Sequence, residues 1–298
     1  MKTKILLFFS LFLLALYSCN NESTTATDLL NDSLIAGSDT GLTESMVLEI
    51  ITTIPNPVEM SSLLYKSKVK FSPTLLNPAE NVSKYNINYK KAINMGVYGA
   101  DLVHMNIYDR TTSALLYLNS IQQIAKDLGV EKFFDAETLN KLSENSKNTD
   151  SVLLITSVGF DRMNQFLQQN NRTNISVLIG VGTWIESLYL ATNCEQIGNK
   201  DLVYQRIGDQ KFVIENIILM VDKYKKDPNI NGLLNDMKKL KDMFAKLEVK
   251  YEYKEPTTEI VNGMPVVTDN STSKIVITDD IFKKIGTEVK IIRTRITQ

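Results

Sequence analysis

Apolar residues recur at three- and four-residue intervals through most of this chain, the spacing that lines one side of an α-helix. In "SKYNINYKKAINMGVYGADLVHMNIYD" the stripe runs Ile87, Ile93, Val97, Ala100, His104 and Ile107. A second run, "RTTSALLYLNSIQQIAKDLGV", stops at Gly129, a residue suited to the left-handed conformation that ends helices. "TDSVLLITSVGFDRMNQFLQQN", "NISVLIGVGTWIESLYLATNCEQIG" and "DLVYQRIGDQKFVIENIILMVDKYKKD" predict three more helices. Beyond Pro228, "INGLLNDMKKLKDMFAKLE" predicts another, with Leu233, Met237, Leu240, Phe244 and Leu247 as its buried stripe and its lysines as a solvated face. Upstream, Met46 to Ile54 reads as a strand or a short helix. In "IPNPVEMSSLLYKS" Asn56 is an N-cap, Pro57 suits the first helical position and Glu59 falls at the capping-box position, so a helix is expected from Pro57 to about Lys68. "DAETLNKLSENSKN" reads as a short exposed helix capped by Asp135.

The last fifty residues change character. "VKYEYKEPTTEIVNGMPVVTDNSTSKIVIT" alternates and is rich in β-branched residues, with Asn262-Gly263 as a turn signal. "TDDIFKKIGTEV" reads as a capped short helix and "VKIIRTRIT" as a strand. The expected fold is mainly α: an irregular antiparallel array of about six to eight helices over residues 46–249, with a small β-containing region at 250–298. No fixed-period repeat supports a solenoid.

Residues 1–18 read as an export signal. Lys2 and Lys4 give a basic start, Ile5 to Leu16 are apolar apart from Ser10, and the run is too short to span a bilayer as a mature helix. Leu16-Tyr17-Ser18-Cys19 resembles the bacterial lipobox, which implies cleavage before Cys19 and acylation of that cysteine. A diacylglyceryl group and a palmitate-type amide chain, at ~0.8 kcal/mol per buried methylene, exceed what stable anchoring requires. Residues 19–45 are dominated by Ser, Thr, Asn, Asp and Gly and cannot offset their ordering entropy by burial, so they read as a flexible tether reaching about 28 Å.

Removing Lys2 and Lys4 takes the 33 basic residues to 31 against 34 acidic ones, a net charge of −3. That balance, without a clustered basic surface, argues against a nucleic-acid partner. Cys194 is the only cysteine after Cys19, so no intramolecular disulfide is expected within the folded part. There is no HExxH, GxSxG, Walker A or CxxC motif, and His104 is the sole histidine. The chain therefore reads as a non-enzyme, and no cofactor or metal is implied.

Polar groups inside the two most apolar helices stand out instead. Asp101 and His104 share a face with Tyr98, and Glu186 is a lone charge in "ISVLIGVGTWIESLYLA", near Tyr189. A buried carboxylate is costly unless paired. Tyr98, Asp101, His104, Glu186 and Tyr189 therefore line a ligand pocket between these helices, or the carboxylates are structural and paired within the core, the reading that carries more weight. Gly96 with Gly99, and Gly180 with Gly182, each cost about 1 kcal/mol of helix propensity, which close helix crossing would compensate. Trp184 is expected as a core anchor.

At "NMGVYGADL", "FLQQNNR" and "GTWIESLYLA", after "IPNP" at Ile54-Pro55-Asn56-Pro57, the chain resembles uncharacterised cell-envelope lipoproteins of Bacteroidota over roughly residues 50–200. The resemblance implies an envelope lipoprotein and carries no activity. Asn20 lacks the aspartate that marks inner-membrane retention in some bacteria, which favours the outer membrane. The expected role is a membrane-anchored binding or scaffold protein for another envelope protein, held to the lipid bilayer through acylated Cys19. The alternative is a small-ligand-binding lipoprotein with its pocket between the two most apolar helices.

Overall fold

Capping chemistry sets where the helices start. The computed structural model describes residues 41–298 apart from 135, 136, 138, 139, 142, 143, 146, 147, 195–197, 262 and 263. The export signal, Cys19, most of the tether, the Asp135 cap and the Asn262-Gly263 turn lie outside the described residues. Thr43 caps α1 (Glu44–Ile51), so the ambiguous run beginning at Met46 is helical. Asn56 Oδ1 accepts from the Val58 N–H at 2.9 Å to start α2 (Pro57–Lys66). Glu59 does not close a capping box; it reaches Arg206 at 3.1 Å instead. The helix stops two residues short of the expected Lys68, which turns left-handed at φ 59°.

Two long helices follow, α3 (Asn88–Ile107) and α4 (Thr111–Asp127), the latter ended by Gly129 at φ 65°. α5 (Thr149–Gln169), α6 (Thr173–Asn193), α7 (Lys200–Lys223) and α8 (Pro228–Phe244) then pack in sequence. The stripe expected on α8 is buried throughout, as Leu233, Met237, Leu240, Phe244 and the following Leu247. β1 (Glu248–Glu252) pairs antiparallel with β4 (Thr272–Val276), and β2 (Thr257–Val261) with β3 (Met264–Thr268). Together they form a two-part ribbon anchored where Ile275 packs against Gly208 of α7.

The end of the chain corrects the expectation for "VKIIRTRIT". It is not a strand but the second half of one helix, α9 (Asp279–Thr297), capped by Thr278. Its β-branched residues favour a strand, yet Phe282, Ile285, Val289, Ile292 and Ile296 repeat at three and four positions and all are buried. Burial of that stripe against α6 overrides local preference.

α3 and α6 cross at the centre. A β-carbon on Gly96 would collide with Ile179 O, and one on Gly182 with Ile93 O, so the absent side chains let the backbones touch. Thr183 Oγ1 ties the crossing by donating to Gly96 O at 3.2 Å. Gly99 and Gly180 depart from the crossing role expected of them: a β-carbon on Gly99 meets nothing within 4 Å, and Gly180 faces the Ile54 side chain. α6 is apolar on every side, as a central helix must be. It is long and apolar enough to cross a membrane, but 83% of its most apolar stretch is buried inside the protein.

Candidate functional site

α3 and α6 bring Asp101 and Glu186 into the same buried layer, and α9 supplies the cation between helices. Arg293 donates from Nε to Glu186 Oε2 at 2.9 Å and from Nη2 to Oε1 at 3.0 Å, a bidentate pair, with Nη2 also reaching Leu75 O at 3.1 Å. Its guanidinium lies 4.6 Å from the centre of the Tyr189 ring. Asp101 Oδ2 accepts from the Asn77 N–H at 3.0 Å, and the Asp101 carboxyl lies within hydrogen-bond reach of Glu186. Burial first, and the neighbouring Glu186 charge second, hold the Asp101 carboxyl well above the usual carboxylate range. That direction favours a proton on Asp101, which would leave one carboxylate, Glu186, facing one guanidinium.

Three of the five residues singled out from sequence, Asp101, Glu186 and Tyr189, thus meet around Arg293. Tyr98, one helical turn before Asp101, donates to Pro78 O at 2.9 Å and packs edge-on against Tyr117. His104 is elsewhere: its Nδ1 lies 3.3 Å from Ser61 Oγ and its ring stacks on Phe71. Burial pushes the His104 imidazole down to about 4, which leaves it neutral near pH 7. Arg293, Asn77 and Tyr85, whose OH accepts from Asn77 Nδ2 at 2.9 Å, carry no mark of this layer in any local motif. The one signal for Arg293 was its place four residues after Val289 on a helical stripe, invisible while the segment read as a strand.

Polar clamps continue to the end of α9. Asn94 Nδ2 donates to Ile296 O at 2.7 Å, Lys90 Nζ to Arg295 O at 2.6 Å, and Tyr85 OH to Thr297 O at 3.2 Å. These groups satisfy carbonyls that have no partner within the helix. Arg295 pairs with the buried Asp236 of α8. Trp184 is a core anchor, its indole N–H donating to Gln210 Oε1 at 2.9 Å. Among the described residues no group of three or more His, Cys, Asp or Glu gathers that could hold a metal.

Open volume lies on another flank of the α3–α6 pair. A cavity of about 670 Å³ has these helices as its floor, α4 and α5 along one side and the α1–α2 link along another. Ile54, Met95, Leu102, Ile121, Phe160 and Ile179 are among its apolar lining residues. Gly99 and Gly180 lie in the floor, where missing side chains create room. Its polar lining comes from Thr52, Thr53 and Asn56 of the α1–α2 link, Asp161 and Asn164 of α5, Ser176 and Thr183 of α6, and the Glu59–Arg206 pair. An apolar body with sparse polar contacts is the usual composition of a small-molecule site, and the volume falls in the usual range of roughly 300–1,000 Å³. Comparison with family models, with curated proteins and with solved structures finds no match to this chain.

Proposed function

We propose that the protein is a lipid-anchored binding protein of the bacterial cell envelope, held through acylated Cys19, and that its helical body takes a small amphipathic molecule in the cavity beside the α3–α6 crossing. The cavity carries this reading: a chamber floored by Gly99 and Gly180, apolar over most of its surface and edged by Asn56, Asn164, Thr183 and the Glu59–Arg206 pair, accepts an apolar body and offers polar contacts at its margin. The anchor follows from the lipobox-like Leu16-Tyr17-Ser18-Cys19 and the polar tether. Binding at the cavity leaves the Asp101–Glu186–Arg293 layer as a structural unit, in which Arg293 pairs with Glu186 on both guanidinium nitrogens that face it.

Two variants of the full chain test this. Mass spectrometry of small molecules extracted with purified protein should recover a stoichiometric amphipathic compound from the natural chain and none from Gly99→Phe, which fills the cavity. Equal recovery from both sinks the cavity reading. Cys19→Ala should lose the lipid label and the membrane fraction; retention in the membrane without the label overturns the anchor. A second reading, a scaffold for another envelope protein, is favoured by the exposed apolar residues on the β-ribbon, including Tyr251, Ile260, Met264 and Val267.

A further inference from the structure

We propose that two copies of the protein associate by antiparallel pairing of their β1 strands, edge to edge, about a two-fold axis at Tyr251. β1 is hydrogen-bonded to β4 on one edge only, and all five of its residues are exposed. An unpaired strand edge is a template for another strand, and an isolated two-stranded ribbon is marginal in water. Natural edges are often guarded by charges, which repel a second copy when the signs are alike. Here the signs alternate along one face: Glu248, Lys250, Glu252 and, just beyond the strand, Lys254.

That alternation is self-complementary. With Tyr251 opposite its own copy, Lys250 faces Glu252 of the second copy and Glu248 faces Lys254, and the two-fold axis repeats both contacts. Every charged cross-strand pair is then attractive. The other face brings Tyr251 against Tyr251 and Val249 against Tyr253, side chains that are 63%, 42% and 66% exposed in the single chain. The product is a four-stranded sheet, β4-β1-β1-β4, with the isologous geometry that closes a dimer and stops further growth. Tyr251 stands four residues beyond the buried Leu247, about 13 Å along an extended strand, which carries the axis outward from the helical core. This pairing is independent of the cavity.

Sedimentation velocity on the full chain in detergent tests it with charge swaps. The natural chain should reach a dimer with rising concentration. Lys250→Glu alone and Glu252→Lys alone place like charges at both symmetry-related contacts and should each weaken self-association at least tenfold. An equimolar mixture of the two variants restores opposite charges at both contacts and should dimerise like the natural chain, as should the double swap Lys250→Glu/Glu252→Lys. Recovery in the mixture also excludes misfolding as the cause of the single-variant loss. A natural chain that stays monomeric, single variants that dimerise undiminished, or a mixture that stays monomeric each overturns the proposal.

Discussion

Three glycines on two helices carry opposite consequences for substitution. Gly96 and Gly182 sit where backbones touch, so a methyl group at either must push α3 and α6 apart. Gly96→Ala and Gly182→Ala should each destabilise by about 1–3 kcal/mol or more, the scale of an overpacked core. Gly99 faces open space, so Gly99→Ala removes a helix penalty without a clash and should stabilise by about 1 kcal/mol. Urea unfolding of the three variants separates the cases by sign. Two buried ionisable groups likewise act in opposite directions. His104 titrates at about 4 in the fold against 6.5 ordinarily, so the unfolded chain binds more protons between those values. Stability from His104 is therefore lost as pH falls through that window, up to about 3 kcal/mol at roughly 1.4 kcal/mol per unit. Asp101, facing Glu186, Arg293, Tyr98 and Tyr117, has the reverse sign: its folded value is raised, so stability falls as pH rises above its ordinary 3.8. The two slopes offset one another in mildly acidic solution. Asp101→Asn should expose a steep acid loss, and His104→Gln a stability that declines with rising pH, both measurable from unfolding midpoints across pH 4 to 7.

α9 shows how an element depends on one side chain. Among the described residues Arg293 is the only cation bonded to Glu186, and removing it leaves that carboxylate buried without a counter-charge. Arg293→Met should cost about 3–5 kcal/mol, while pairing it with Glu186→Gln should recover much of the loss, because the double change removes the stranded charge. A thermodynamic cycle on the two positions reads the coupling directly. Most elements were legible because local chemistry and burial agree in them: Asn56 and Pro57 start α2, Gly129 ends α4, and the α8 stripe has one period throughout. α9 was legible only in its first half, since Val289, Ile291 and Ile292 favour a strand locally and the helix is selected by contact with α6. The same error hid Arg293, so Asp101 and Glu186 stood out as isolated charges while their partner did not. The cavity could not be read at all: Gly96 and Gly99 are alike in sequence, and only the crossing angle of two distant helices makes one a contact and the other a void.

At the scale of the whole molecule, a layered helical body surrounds α6, with a ribbon on one side and a chamber on another. The body closes through contacts far apart in the chain: Glu186 and Arg293 are 107 residues apart, and Asn94 meets Ile296 across 202. Such separations slow folding, since loops must close before contact is rewarded. The clamp at the end of α9 therefore has a consequence in the order of synthesis. A chain emerging from its amino end presents Asp101 and Glu186 long before Arg293 exists, with the apolar side of α6 uncovered in the interval.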